Sequence, residues 1–395
     1  MPSENKGRAR KRRKIGLSDK QMLIVKILSA IFVVLLLLFM AAEMLGIASV
    51  SQVSDSVRNF FATLTPGDGF PHKINSSSVR HMDVLNGNLF IVTDEKTISL
   101  DTTAKQVKGT QHTYSNPDLK INGGKAIVFN RNDNRYRVEN RTETLFTGET
   151  PEEEKIITCA IGSSGNIAIA TLAESSTSKL TVLNKNYNEE VFVWNCAHDS
   201  IVAVSLSPNG KLVAVAVLGA RDGEIYSKVS IFNFQYSTPV AEFEYPGTAM
   251  LDINFATNNN VVVIGDNKAS FIKNLEKEES LNYGTSVLSA YTFSEAGDTV
   301  LVLSEHGSTN SEALTCYNSS FSVDFEEKYT SNVKSLYAAD DKVAVLLDDR
   351  ALVYRGNGNL YKEYEADVSA ISIFNVGRNT YIYSIGEIVK ATVKK

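Results

Sequence analysis

The sequence holds one tryptophan, three cysteines and five histidines in 395 residues, and each shortage closes off a chemistry. Cys159, Cys196 and Cys316 show no C-x-x-C spacing, so neither a zinc site nor a dithiol redox motif is present. Their odd number allows one disulfide, with no pair favoured. Cys159 and Cys316 lie in strand-like runs and read as small buried hydrophobes. His72, His81, His112, His198 and His306 form no H-x-H, H-x-x-H or H-E-x-x-H and read as turn or surface residues. There is no glycine-rich phosphate loop and no G-x-S-x-G. Cys196-Ala197-His198-Asp199 brings a thiol, an imidazole and a carboxylate together in sequence, but catalytic Cys–His pairs meet in space, so this reads as a loop. Asn130, Asn132, Asp133 and Asn134 suggest a calcium loop that lacks its first aspartate, its glycine and its distal glutamate; a strand turn fits better. No catalytic, cofactor-binding or metal-ligating residue is assigned, and no cofactor is expected.

Charge is missing from 27–42, ILSAIFVVLLLLFMAA, and only Lys26 and Glu43 interrupt the longer apolar run around it. A bilayer core needs about 20 apolar residues as helix, so one spanning helix is expected over 22–48, with the lipid bilayer as its partner. The run exceeds the 7–15 residues of a signal-peptide core, which favours an uncleaved anchor. Residues 1–21 form a basic tail with Arg12 and Arg13 at its centre, and positive flanks stay in the cytoplasm. The expectation is therefore a single-pass membrane protein with its larger part outside the cell. Beyond Glu43 there are 31 basic and 42 acidic side chains, which argues against nucleic acid as a partner.

Val50, Val53, Val57, Phe60 and Leu64 recur at helical spacing, and Thr65-Pro66-Gly67 stops the helix. Residues 49–69 thus read as an amphipathic helix and linker. Such a helix lies on a bilayer or on the next domain, or pairs two copies as a homodimer.

From residue 70 to 395 no helical period is found. Alternating strands of five to eight residues are separated by Asn, Gly, Asp and Ser. They repeat as an alternating strand, a tight turn and a second strand apolar on both sides, as in 202–217, VAVSLSPNGKLVAVAV. Turn marks at Gly87, Gly124, Gly165, Gly210, Asn259, Gly297, Asp341 and Arg378 are spaced by about 42 residues on average, the size of one four-stranded propeller blade. The fold expected is all-β, an eight-bladed β-propeller, with seven blades as the alternative. The last repeat has room for only three strands, so residues 70–75 are expected to supply its outer strand and close the ring. The loops at 173–179, 218–228 and 304–313 then lie on the face away from the membrane. Partner-binding residues are placed there: Arg221, Asp222, Glu224, Tyr226, Glu305 and His306.

Ser207-Pro208-Asn209-Gly210-Lys211 resembles the turn common in WD40-type propellers, although Trp194 is followed by Asn195 and no Trp-Asp dipeptide occurs. Basic tail, single span and degenerate propeller together resemble an uncharacterised family of membrane-anchored propellers from Gram-positive bacteria. That resemblance brings no catalytic residues. The expected function is a non-enzymatic recognition or scaffold module for a protein, peptide or cell-envelope polymer. The alternative is a hydrolase- or dehydrogenase-type propeller enzyme with its site on the axis. The first strands of the repeats, such as VAVSL, are mostly small and apolar, which weighs against it.

Overall fold

The computed structural model describes residues 50–74, 79–305 and 311–392, together with Lys26, Ser29 and Val33. The basic tail and the apolar run at 27–42, on which the expected spanning helix rests, lie outside the described residues except at Ser29 and Val33. Among the described residues no helix is long and apolar enough to cross a membrane. The chain divides into two compact units, residues 1–57 and 58–395. The helix expected before the strands is present as Val50–Thr63. Its apolar residues Val53, Val57, Phe60 and Phe61 are exposed.

The longer unit carries eight four-stranded antiparallel sheets among its described residues, seven of them simple meanders of consecutive strands. Eight blades, not seven, are thus observed. Blades 1 to 7 take consecutive strands, from Val79–Leu85 at the start of blade 1 to Leu360–Glu365 at the end of blade 7. Blade 8 has Ala370–Val376, Asn379–Ser384 and Glu387–Lys390, and its fourth strand is His72–Lys73. His72 pairs with Ile388 and Lys73 with Glu387. Ile74 N–H donates to the Gly386 carbonyl at 2.9 Å, and the Phe70 ring lies 4.7 Å from that of Tyr381. The ring closes where the incomplete last repeat placed the closure.

Each second strand is buried on both sides because it sits between two neighbouring blades. In Leu212–Arg221, the residues Val213, Val215 and Val217 pack toward blade 3, while Ala214 and Ala216 pack toward blade 5. Eight apolar clusters result, one for each pair of neighbouring blades, and the cluster joining blade 8 to blade 1 contains Ile74, Leu89, Ile91, Tyr381 and Ile388. The three cysteines are free and buried, so the disulfide left open by the sequence is not formed.

The turn at Ser207–Lys211 shows how such turns are fixed. Ser207 Oγ donates to Asn209 Oδ1 at 2.8 Å and accepts from the Leu212 N–H at 3.0 Å. Gly210 has φ +66, and a Cβ there would stand 2.4 Å from Ser164 Oγ of the preceding blade. A β-bulge near the start of the first strand recurs in blades 1, 3, 4, 5, 6 and 8. Bulges increase local twist and re-aim the strand, here the strand nearest the axis.

Candidate functional site: the far face and the axial mouth

Antiparallel meanders give the ring two unlike faces. One carries the turns between first and second and between third and fourth strands. Residues 65–71 reach the ring on this near face: the Gly67 and Gly69 N–H groups donate to Thr103, and Lys105 Nζ donates to Thr65. Thr103 and Lys105 belong to the last turn of blade 1. The far face carries the second-to-third-strand turns and the blade-to-blade connections.

On the far face the segment 218–228 is a hairpin rather than the expected loop. Leu212–Arg221 and Glu224–Asn233 stay paired down to Arg221 opposite Glu224. Asp222 and Gly223 close it with φ +55 and +84, the two positive values a type I′ turn requires. Arg221 lies 4.5 Å above the Tyr226 ring, and its Nη1 donates to Glu244 Oε1 at 2.9 Å. Tyr226 Oη donates to Asp199 Oδ1 at 2.7 Å, which raises the phenol pKa. Gly219 stands opposite Tyr226, where a Cβ would come 2.9 Å from the ring. The glycine lets the tyrosine lie flat across the hairpin.

Arg221 and Tyr226 therefore meet, with Asp199 and Glu244 as partners that sequence reasoning missed. Asp222 and Glu224 are exposed at the tip. Glu305 ends the second strand of blade 6, two blades further round, and does not join them. His306 lies outside the described residues. Of the five described residues, Arg221, Asp222, Glu224 and Tyr226 share the blade 4 hairpin, and Glu305 stands on blade 6.

Two clefts open on the same face. One, of about 480 Å³, is walled by the 173–179 segment, including Glu174 and Lys179; Lys179 Nζ is held 2.9 Å from Glu154 Oε1. The other, of about 530 Å³, lies between blades 1 and 2. Its floor comes from the third strand of blade 2, Arg135–Glu139. Alternation sends Tyr136 and Val138 into the core against blade 3. Arg135, Arg137 and Glu139 consequently face blade 1. Glu139 is wholly buried; its Oε2 accepts from Lys108 Nζ at 2.6 Å and Thr97 Oγ1 at 3.0 Å, and its Oε1 is ion-paired with Arg137 Nη2 at 2.9 Å. Burial, and then the Arg137 charge, lower the His112 pKa. The His112 ring stacks on Tyr114 at 4.9 Å, so this histidine is a cleft wall.

The third cavity, of about 550 Å³, is the axial mouth on the near face. Asp83, Glu295, Asp340 and Asp341 line it together with Tyr337 and Phe374. Deeper charges cross the axis: Lys120 Nζ of blade 2 stands 3.6 Å from Asp252 Oδ2 of blade 5, and Tyr291 Oη of blade 6 donates to the same oxygen at 3.4 Å. His81 Nε2 lies 3.4 Å from Asp118 Oδ1, whose other oxygen takes the Arg131 guanidinium. The expectation of small, apolar first strands therefore fails at the axis. Among the described residues no group of three or more His, Cys, Asp or Glu is placed to hold a metal ion.

Desolvation in the narrow mouth pushes the Asp83 carboxyl up to about 6; the Val84 N–H bond opposes the shift, and Glu295 adds to it. An unfolded aspartate titrates at about 3.9. Between those values the folded chain holds the extra proton, so stability falls as pH rises through the window, and the whole cost is present above it. Asp83→Asn should match the parent near pH 4 and be more stable by about 1–3 kcal/mol near pH 7.5, read by urea unfolding. A variant less stable at the higher pH would contradict this.

No curated protein matches the chain. Among solved structures it is similar to the crystal structure of BamB from Moraxella catarrhalis, at 9% sequence identity over 81% of this chain and 99% of that one, with a TM-score of 0.47. A family model matches residues 71–390, and the chain belongs to that family, the Family of unknown function (DUF5711).

Proposed function

We propose that the chain is a non-enzymatic recognition or scaffold module, held to a membrane by its apolar run at 22–48 and meeting a protein, peptide or cell-envelope partner through the far face. The observation that carries this reading is the anchoring of residues 65–71 on the near face. The chain enters the ring through that face, and the far face carries none of residues 65–71. The far face also has the relief that recognition needs: a rigid hairpin and two clefts. Loops on a stable scaffold are where binding residues concentrate. The alternative, an enzyme with its site on the axis, draws on the raised Asp83 carboxyl in the axial mouth.

Photo-crosslinking tests the reading. Ile225 and Ile385 are exposed on far-face turns, and Tyr236 is exposed on a near-face turn. A photoreactive side chain at either isoleucine should give discrete adducts in intact cells. The same group at Tyr236 should give none.

A further inference from the structure

The cleft between blades 1 and 2 has a charge imbalance built into its floor. Lys108 and Arg137 share one carboxylate, Glu139, and all three are at least nine-tenths buried. The next acid toward Lys108, Glu143, is taken by Arg58. The Arg135 guanidinium in the wall is matched by Asp133 at 2.8 Å. One positive charge is therefore left over in a dry place, where an uncompensated ion is expensive. Arg137 Nε is buried and has no acceptor. A buried donor without a partner is a second cost at the same residue.

The rim carries the opposite sign. Glu95 and Glu149 are exposed at the cleft mouth; Glu149 stands across the ladder from Arg135 and acts on its charge without closing to an ion pair. Floor and rim together favour a molecule that is negative at one end and positive at the other. A single excess charge calls for a monovalent anion. A phosphate brings more negative charge than the floor lacks and meets the two glutamates on the way in. The cleft volume of about 530 Å³ falls in the range of small-ligand sites. The Tyr114 ring supplies a flat apolar wall, held by Arg135 and Arg137, each 5.6 Å from its centre.

We propose that this cleft binds a short peptide or peptide terminus, with its free carboxylate toward Arg137 and its ammonium group at Glu95 and Glu149. The inference rests on the far face being the recognition surface, and it names the chemistry of one part of that surface.

The test uses the full chain in detergent micelles and saturation-transfer NMR with trialanine as the probe. Trialanine should bind, and its C-terminal amide should bind at least tenfold more weakly. N-acetyl-trialanine should bind severalfold more weakly than trialanine to the parent chain. That difference should vanish in the Glu95→Gln/Glu149→Gln variant, whose changes are at exposed positions and leave the buried floor intact. No transfer to trialanine, equal binding of the amide, or preferential binding of inorganic phosphate would each overturn the proposal. If trialanine fails while crosslinks form at Ile225 on blade 4, the cleft assignment alone is lost. If trialanine binds and the crosslinks fail, the partner reading of the face is lost and the cleft stands.

Discussion

Replacing residues 70–75 by a glycine–serine stretch of equal length will remove on the order of 5 kcal/mol of stability, a large part of the margin of an ordinary domain. Three losses combine. Ile74 leaves the cluster between blades 8 and 1, at about 1.5–3 kcal/mol for a large aliphatic side chain. The Phe70–Tyr381 contact adds about 0.5–1.5 kcal/mol beyond its buried area. The pairing of His72 and Lys73 with Ile388 and Glu387 goes as well, and the third strand of blade 8 becomes an unpaired edge. Exposed edges recruit other chains, so the variant should also form strand-exchanged oligomers. Circular dichroism under urea and gel filtration read both effects. A monomer with an unchanged midpoint would show that blade 8 does not need its N-terminal strand.

The second large effect is expected at Glu139. Glu139→Gln leaves Lys108 and Arg137 buried side by side with no counter-charge. Breaking a buried ion pair by removing one partner costs about 3–5 kcal/mol. Replacing Lys108, Arg137 and Glu139 together by methionine or leucine should recover most of that loss, because apolar residues of similar volume avoid the desolvation. Urea unfolding of the single and triple variants makes the comparison. A single variant as stable as the parent would mean that the pairing of Glu139 with Lys108 and Arg137 contributes nothing to the fold, and the excess positive floor of the cleft would be wrong.

The ring was legible because its logic is apolar. Second strands such as VAVAV at 213–217 announce two covered faces, and the tight turns at Gly87, Gly165, Gly210 and Gly297 recur at one or two blade lengths. Even the closure could be read, since three strands after residue 368 need a fourth. The charged features were hidden for the opposite reason. RYRV at 135–138 alternates like a strand with one face in water, yet its arginines face a neighbouring blade. Asp83, Lys120 and Asp252 each look like an ordinary polar residue of a first strand. They converge only because closing the ring brings blades 1, 2 and 5 to a common axis. The hairpin beyond Leu218 extends past the covered part of blade 4, where apolar alternation gives out and Gly219, Asp222 and Gly223 mimic a loop.

The separation of the two faces is the claim on which the functional account stands, and the photo-crosslinking comparison bears on it most directly. With equal expression and equal irradiation, reactive groups at positions 225 and 385 should yield the same partner band, since both turns belong to one face. Position 236 should yield no band above the unirradiated sample. Adducts confined to position 236 would place the partner on the face where the chain enters the ring, and would contradict the account.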